Sequence, residues 1–429
     1  MFPATDNDAL KRTVVAGLAL VAFFFPVSIA ASSLAFFPLL ALYVAAGSWT
    51  FRRWPPAWGR VEIAFLLFWG VSLLSAGFSD SPSHSRGQLT EDLYVILIPL
   101  LGALLVNEPG LRSRLLKWFL WGGLLTAVCG LLQAVLGMDQ NERTGRVLQH
   151  IPSALAGWPE SLLRKLSLND GRATGFRGHP LTFAETLLFP LAMMLSQLAM
   201  PSRIIWRKWA PMTGILIGAL LASQSRGPWL AFGVMTLSLV ILEPKPHVWR
   251  RLGILVACPA ALILFTPALR HRALSIGDTR FSSNSERLMM WEAGSRMLRD
   301  HPLLGVGPGH VRLASPSYQT PRQRQAFGAW GHLHNTYVHI AAERGLLGLG
   351  AFLVFIGMLG GRLLRAYRRP APGSGEQRTL LLTALLGLIG WLASGLTEAV
   401  YNNSSIQMMF YFVMGLALAS LRGRDYSRA

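Results

Sequence analysis

The stretch APMTGILIGALLASQSRGPWLAFGVMTLSLVIL, residues 210–242, contains two long apolar runs separated by Ser225, Arg226 and Gly227. Each run is close to the length that a helix needs to cross the hydrocarbon layer of a membrane. Arg226, at the junction of the two runs, is the one charged residue in the stretch. The stretch therefore predicts two membrane helices joined by a short turn.

The composition of the whole chain points the same way. Of its 429 residues, 52% are hydrophobic and only 14% are charged, whereas a soluble globular domain carries roughly 25% charged residues. This composition excludes a cytosolic enzyme, a disordered chain and a small disulfide-stapled secreted domain. Cys129 and Cys258 both lie inside apolar runs, so neither predicts a disulfide or a metal site.

Apolar runs recur along the chain and predict an all-α polytopic membrane protein, with residues 1–429 forming a single membrane domain. About twelve spans are expected, at residues 11–28, 32–49, 61–78, 88–106, 115–137, 181–200, 210–225, 228–242, 252–267, 336–361, 379–399 and 404–421. If the N-terminus is cytoplasmic, the connections and termini on that side hold 22 Lys and Arg, whereas the three short outer connections hold only Arg86 and Arg226. The positive-inside rule therefore places both termini in the cytoplasm.

Two long connections, 138–180 and 268–335, are expected on the outer side as a largely helical cap. Unstructured loops of this length are uncommon unless they are functional. The chain carries 40 Lys and Arg against 21 Asp and Glu. Such a basic surplus favours nucleic acid, acidic lipid headgroups or a phosphorylated substrate as partner. In a membrane protein the last two are favoured, so membrane lipids are expected as partners and nucleic acid is not.

Arginines beside helix starts are the first candidates for a site on this outer face. Pro228 suits the first turn of a helix, which places Arg226 beside a helix N-terminus that already favours an anion. The alternative is an arginine that extends to the lipid headgroups. Ser283-Asn284-Ser285-Glu286 predicts a capping box with Ser283 as N-cap, so Arg287 lies in the first turn of another helix, which ends at His301-Pro302. Arg287 has a structural alternative too, a stack on Trp291.

Histidines mark the junction between the second long loop and the following helix. His334 is well placed for proton transfer, with a capping or supporting role as the alternative. A metal site formed by His332, His339 and Glu343 is a weaker alternative, since the spacing matches no zinc signature. Arg172, Arg177 and His179 end the first long loop and give a weaker signal of the same kind. The glycine-rich run 305–309 lacks the Lys-Ser/Thr of a nucleotide loop and predicts a tight turn at the membrane surface.

Residues 165–350 resemble the O-antigen ligase family, within a wider group that includes O-antigen polymerases and bacterial O-oligosaccharyltransferases. The resemblance is carried by Ser225-Arg226-Gly227, by the helix with Arg287 and Trp291, by residues 301–309 (HPLLGVGPG), and by His334-Asn335 nine residues before Gly345-Leu346-Leu347-Gly348. It implies an inverting glycosyltransferase with a GT-C-like membrane fold, which needs no metal, nucleotide or other cofactor. The active site would face the periplasm of the bacterial inner membrane.

The resemblance also implies the substrates and the roles of the residues. An O-antigen glycan on undecaprenyl diphosphate would be the donor, and a sugar hydroxyl of lipid A–core the acceptor. His334 would be the general base, and Arg226 and Arg287 would stabilise the departing diphosphate. The remaining candidates, expected to bind substrate, are Arg172, Arg177, His179, Arg86, Trp291 and Asn335.

The sequence leaves two alternatives open. An O-antigen polymerase or a protein O-oligosaccharyltransferase would share these motifs. A transporter of lipid-linked glycan is a different class, and it would place ionisable groups near the middle of the membrane. Glu62, Glu185, Glu343 and Glu398 all lie near the ends of predicted spans, which disfavours transport.

Overall fold

The computed structural model describes residues 8–28, 59–105, 109–137, 139–140, 168–169, 171–369 and 375–425, with the isolated positions 30, 31 and 34. These residues are mostly helical. The helices are α1 (Asp8–Phe24), α2 (Arg60–Gly77), α3 (Arg86–Asp92), α4 (Leu97–Leu105), α5 (Pro109–Leu136), α6 (Pro180–Leu198), α7 (Arg203–Ala222), α8 (Arg226–Leu242), α9 (Pro246–Phe265), α10 (Pro267–Leu274), α11 (Ser282–Asp300), α12 (Val311–Ala314), α13 (Pro321–Phe327), α14 (Thr336–Arg368), α15 (Gly375–Ser394) and α16 (Ser404–Asp425). Two short strands pair in parallel: β1 (Asp139–Gln140) lies at the start of the first long loop, and β2 (Leu168–Asn169) lies near its end.

Seven helices in the described ranges are long and apolar enough to cross a membrane, namely α2, α5, α6, α9, α14, α15 and α16. Two shorter apolar helices, Val15–Phe24 within α1 and α8 itself, coincide with further predicted spans. The predicted span 32–49 lies outside the described residues except for residue 34. The helices agree with the predicted all-α polytopic fold, while the total of twelve spans stays a prediction.

Residues 88–105 of the predicted span 88–106 are helical, but the helix is not uniform. The chain runs through α3, a 3-10 turn at Leu93–Ile96, and α4. Asp92 ends α3 fully buried, where it accepts hydrogen bonds from Arg344 and Tyr401. A buried carboxylate is tolerated only with such partners.

Two helices form the centre of the bundle. In their apolar segments, 83% of the residues of α6 and 94% of those of α16 are buried, against 22% for α9. A helix that is apolar all round is stable where other helices surround it. Accordingly α16 packs on α4, α6 and α15, and α6 packs also on α7 and α8. The peripheral α9 leads outward to the second long loop.

The long helix α14 is kinked at Gly345, where φ is 64° and ψ is −169°. The glycine-rich turn packs into this kink, and its backbone bonds to the helix. The N–H of Leu346 donates to the Pro302 carbonyl at 2.9 Å, and the N–H of Val306 donates to the Ala342 carbonyl at 2.9 Å. A Cβ on Gly345 would lie 2.2 Å from the Leu303 carbonyl carbon. The predicted tight turn is therefore present, and it also satisfies backbone groups that the kink frees.

A buried charge network adjoins this kink. Arg344 donates to Asp92 and to Glu343, each at 3.2 Å, and to Ser72 at 2.9 Å. His339 lies 3.2 Å from the other oxygen of Glu343. All the charged side chains of this network are at most 1% exposed. Breaking one member of such a network leaves an uncompensated buried charge, so we assign these residues a structural role.

Candidate active site

The turn between α7 and α8 positions Arg226. Gln224 adopts a left-handed φ of 49°, and Arg226 then begins α8 with only 6% of its surface exposed. Its Nη1 donates to the carbonyl (2.6 Å) and the hydroxyl (3.0 Å) of Ser275, and its Nη2 donates to the hydroxyl of Ser283 at 2.6 Å. A guanidinium buried and bonded in this way does not extend to lipid headgroups.

Ser283 is consequently not the helix cap that the sequence predicted. The helix α11 begins at Ser282 with Phe281 as N-cap, and no side chain caps it. The hydroxyl of Ser283 accepts from Arg226 instead, so a bond between distant parts of the chain replaces the local one. The predicted end of this helix, at His301, is confirmed.

Two further arginines surround the same turn. Arg172 donates from Nε to the Ser223 carbonyl at 3.1 Å and from Nη2 to the Ser225 hydroxyl at 3.0 Å. Arg272 donates from Nε to the Gln224 carbonyl at 2.8 Å. We call Arg172, Arg226 and Arg272 the arginine cluster. The partners of Arg226 and Arg272 are electrically neutral carbonyl and hydroxyl groups, so these two arginines concentrate positive charge at one end of the bundle.

An aromatic ring contacts two guanidinium groups of the arginine cluster. The ring of Phe281 lies 4.6 Å from the guanidinium carbon of Arg226 and 5.5 Å from that of Arg272. Desolvation, and then the positive charge of Arg287, lower the pKa of Arg272. Neither Arg226 nor Arg272 forms an ion pair with any described residue. Buried cations without a carboxylate are stabilised when an anion joins them.

A second group of residues consists of His334, Glu398 and Arg287, which come from different parts of the chain. Nδ1 of His334 lies 2.6 Å from Oε2 of Glu398, and Arg287 donates to Oε1 of the same carboxylate. The side chain of Glu398 is only 3% exposed. Arg287 therefore forms an ion pair with Glu398, and the alternative that it only stacks on Trp291 is not what the structure shows.

Trp291 and Asn335, both predicted to bind substrate, hold the backbone around His334. Nε1 of Trp291 donates to the His334 carbonyl at 3.4 Å. Asn335 is the N-cap of α14, because its side-chain oxygen accepts from the N–H groups of Tyr337 and Val338. Its amide nitrogen donates to the Leu396 carbonyl at 2.9 Å. Asn335 thus has partners at both ends of its amide, and it fixes the loop on which His334 lies.

One cavity is lined by Arg226 of the arginine cluster and by Arg287, the ion-pair partner of Glu398. It has a volume of about 200 Å³, and its lining includes Arg226, Arg287, Leu230, Trp291 and Thr397. The two arginines predicted as catalytic from separate motifs therefore face the same space, with an aromatic ring and a leucine beside them. This combination fits a ligand that has both an anionic group and an apolar part.

A metal ion is the main alternative occupant of the site. Ligand atoms of His332, His334 and Glu398 lie within 4.8 Å of one another, whereas His339 and Glu343 of the predicted alternative pair inside the charge network. Both oxygens of Glu398 already have partners, and the nearby arginines repel a cation. Desolvation, then the charges of His334 and His339, lower the pKa of His332 to about 4, although part of its side chain stays exposed.

The other three predicted residues lie in different surroundings. Arg177 donates to the Phe25 carbonyl, and desolvation lowers its pKa to about 10, so it ties the loop to α1. His179 is the exposed N-cap of α6. Arg86 is exposed at the start of α3, and its guanidinium has no hydrogen-bond or ion-pair partner among the described residues. Neither His179 nor Arg86 lines the cavity, so their predicted substrate-binding roles stay predictions.

The geometry can be compared with known proteins. Residues 211–353 match the family model of O-antigen ligase. This segment includes Arg226, Arg272, Arg287 and His334, and it ends before Glu398. No curated protein matches the chain.

A solved structure titled "Structural coordination of polymerization and crosslinking by a peptidoglycan synthase complex" is similar over 86% of this chain and 98% of its own, with 17% identity and a TM-score of 0.43. A TM-score this low does not establish a shared fold. The match of residues 211–353 to the family model supports a relationship of this chain to the O-antigen ligase and polymerase superfamily.

Glu398 and Arg272 are site residues that the motifs did not identify. Glu398 was visible only as an acidic residue at the end of an apolar run, and Arg272 only as one of many basic residues in the second long loop. Their partners are distant in the chain, since 64 positions separate His334 from Glu398. No local spacing could reveal such contacts.

Proposed function

We propose that this protein is an O-antigen ligase of the bacterial inner membrane. It transfers a finished O-antigen glycan from undecaprenyl diphosphate to a sugar hydroxyl of lipid A–core. The match of residues 211–353 to the family model supports this function. The observation that carries it is the cavity lined by Arg226 and Arg287, beside an arginine cluster rich in positive charge and close to the His334–Glu398 pair.

The arginine cluster would receive the diphosphate of the donor. Arginine presents a planar fork of donors that matches phosphate oxygens. Phe281 contacts the guanidinium groups of both Arg226 and Arg272, so both charges are held near one site. The apolar lining beside them, with Leu230 and Trp291, suits the start of an isoprenoid chain.

His334 would act as the general base. A carboxylate accepts hydrogen bonds and does not donate them, so Nδ1 of His334 carries a proton toward Glu398 and Nε2 is left to accept one. The acceptor hydroxyl attacks the anomeric carbon as its proton moves to Nε2. The bond from the anomeric carbon to the diphosphate oxygen breaks, with inversion, and the arginines stabilise the charge on the leaving diphosphate.

The orientation of the site belongs to this proposal. The excess of Lys and Arg in the connections at the opposite end of the bundle favours a periplasmic site with both termini cytoplasmic. Arg322 on α13 and Arg368 at the end of α14 are exposed positions at the two ends. In spheroplasts, a membrane-impermeant thiol reagent should label Arg322→Cys and not Arg368→Cys. The reverse pattern would place the site in the cytoplasm.

Loss of the gene distinguishes the ligase from its alternatives. A strain without a ligase should keep bare lipid A–core and accumulate lipid-linked polymer. Loss of a polymerase would leave single-repeat caps on the core, and loss of a transporter would accumulate donor on the cytoplasmic leaflet. Either of the last two results would reject the ligase assignment.

A further inference from the structure

Glu398 contacts two proposed catalytic residues, one with each carboxylate oxygen. Oε2 lies 2.6 Å from Nδ1 of His334, and Oε1 accepts from Nη2 of Arg287. We infer that Glu398 is a positioning residue: it fixes His334 through one oxygen and holds Arg287 through the other until the donor diphosphate takes its place. This inference rests on the proposed function.

The backbone around Glu398 is fixed to the start of α14. The N–H and the hydroxyl of Thr336 both donate to the Glu398 carbonyl, at 3.0 and 2.9 Å. Asn335 donates to the Leu396 carbonyl at 2.9 Å. His334 immediately precedes these two residues, and it adopts a left-handed φ of 45°. Glu398 and His334 are therefore held by the same set of bonds.

Arg287 is the partner that is able to move. Its side chain is 20% exposed, against 3% for Glu398, and it faces the cavity. It belongs to α11, whereas Glu398 follows α15. A long arginine side chain can change its direction by rotating about its own bonds. A change of partner would thus move Arg287 and leave the His334–Glu398 pair in place.

A diphosphate competes with Glu398 for Arg287. It offers more acceptor oxygens and more negative charge than a single carboxylate does. Once Arg287 has turned to the diphosphate, the cationic partner left to Glu398 among the described residues is the imidazolium that forms on His334 when it takes the acceptor proton. A carboxylate in this position stabilises the imidazolium and maintains the orientation of the ring. Glu398 therefore opposes diphosphate binding while it assists catalysis.

A variant without the charge of Glu398 should therefore bind diphosphate more tightly but catalyse transfer more slowly. Glu398→Gln keeps the shape of the side chain and removes its charge, so Arg287 loses its competing partner. We expect kcat to fall by about 10²–10⁴-fold, the range of a general-base contribution. We expect undecaprenyl diphosphate to bind about two- to fivefold more tightly, as the loss of a partly exposed ion pair implies. If Glu398 had a purely structural role, the variant would show both a lower kcat and weaker binding of undecaprenyl diphosphate.

The test measures transfer kinetics and the Kd of undecaprenyl diphosphate for purified full-length protein. The matched control is Glu292→Gln on α11, where an exposed glutamate pairs with Arg296 at 3.8 Å, and it should change neither quantity. Glu398→Asp is the second variant. It keeps the charge on a shorter side chain, and we expect a kcat between those of wild type and Glu398→Gln with no tighter binding.

The outcomes separate this inference from the proposed function. Lower kcat with tighter diphosphate binding in Glu398→Gln supports the positioning role. Unchanged kcat, or weaker diphosphate binding, in a Glu398→Gln protein that elutes and melts like wild type overturns it. If Glu398→Gln does not fold, a wild-type kcat in Glu398→Asp overturns it as well. Failure of the wild-type protein itself to transfer glycan would instead reject the proposed function.

Discussion

Replacing Arg226 by lysine tests the arginine cluster most directly. Lysine keeps the positive charge but has one nitrogen, whereas Arg226 uses two nitrogens to reach Ser275 and Ser283. At least one charge-assisted contact is therefore lost, and with it the planar fork for phosphate. Such a contact contributes about 1.5–3 kcal/mol, so at 1.36 kcal/mol for each factor of ten, kcat/KM should fall about 10–150-fold.

The assay is transfer of glycan from the lipid-linked donor to lipid A–core by purified protein at matched concentration. Arg322→Lys, on the exposed helix α13, is the control and should keep wild-type kinetics. Ser283→Ala removes one partner of Arg226 but leaves its fork intact, so it should retain most of the activity. A wild-type rate in Arg226→Lys would refute the phosphate-binding role. An equal loss in Ser283→Ala would show that Arg226 acts by fixing α11.

Three other outcomes are expected. His334→Ala should lower turnover by about 10²–10⁴-fold with donor binding retained. His332→Ala should have little effect on the rate or on its pH profile, since a pKa of about 4 keeps His332 neutral above pH 5. A loss of activity confined to His332→Ala would assign the role of general base to His332 instead. Transfer should proceed in excess EDTA without nucleotide, and activity that EDTA removes and a divalent ion restores would contradict this. Gly345→Ala should lower the melting temperature, because its Cβ would lie 2.2 Å from a backbone carbon at a φ of 64°, a strain of roughly 1–3 kcal/mol. Gly350→Ala, on the same helix with open space around it, is the control and should melt like wild type. Equal melting temperatures of the two variants would reject the proposed strain.

Local sequence patterns were informative where the physical cause is local. Apolar runs predicted most helices, because each span must bury its own length of apolar side chains. The end of α11 at His301 followed from the break at His301-Pro302. The capping box at Ser283 was wrong for the converse reason: the hydroxyl that could cap its own helix bonds to Arg226, 57 positions earlier in the chain.

By itself, the sequence determined that the chain is helical and membrane-embedded, and it identified Arg226, Arg287 and His334 as candidates from separate motifs. Only the tertiary structure decided that Arg226 and Arg287 line one cavity, that Arg272 and Arg172 join Arg226 around one turn, and that Glu398 links Arg287 with His334. The physical reason is that helix formation depends on residues a few positions apart. The charges of a buried site are instead balanced by partners from other helices, and packing alone brings those partners together.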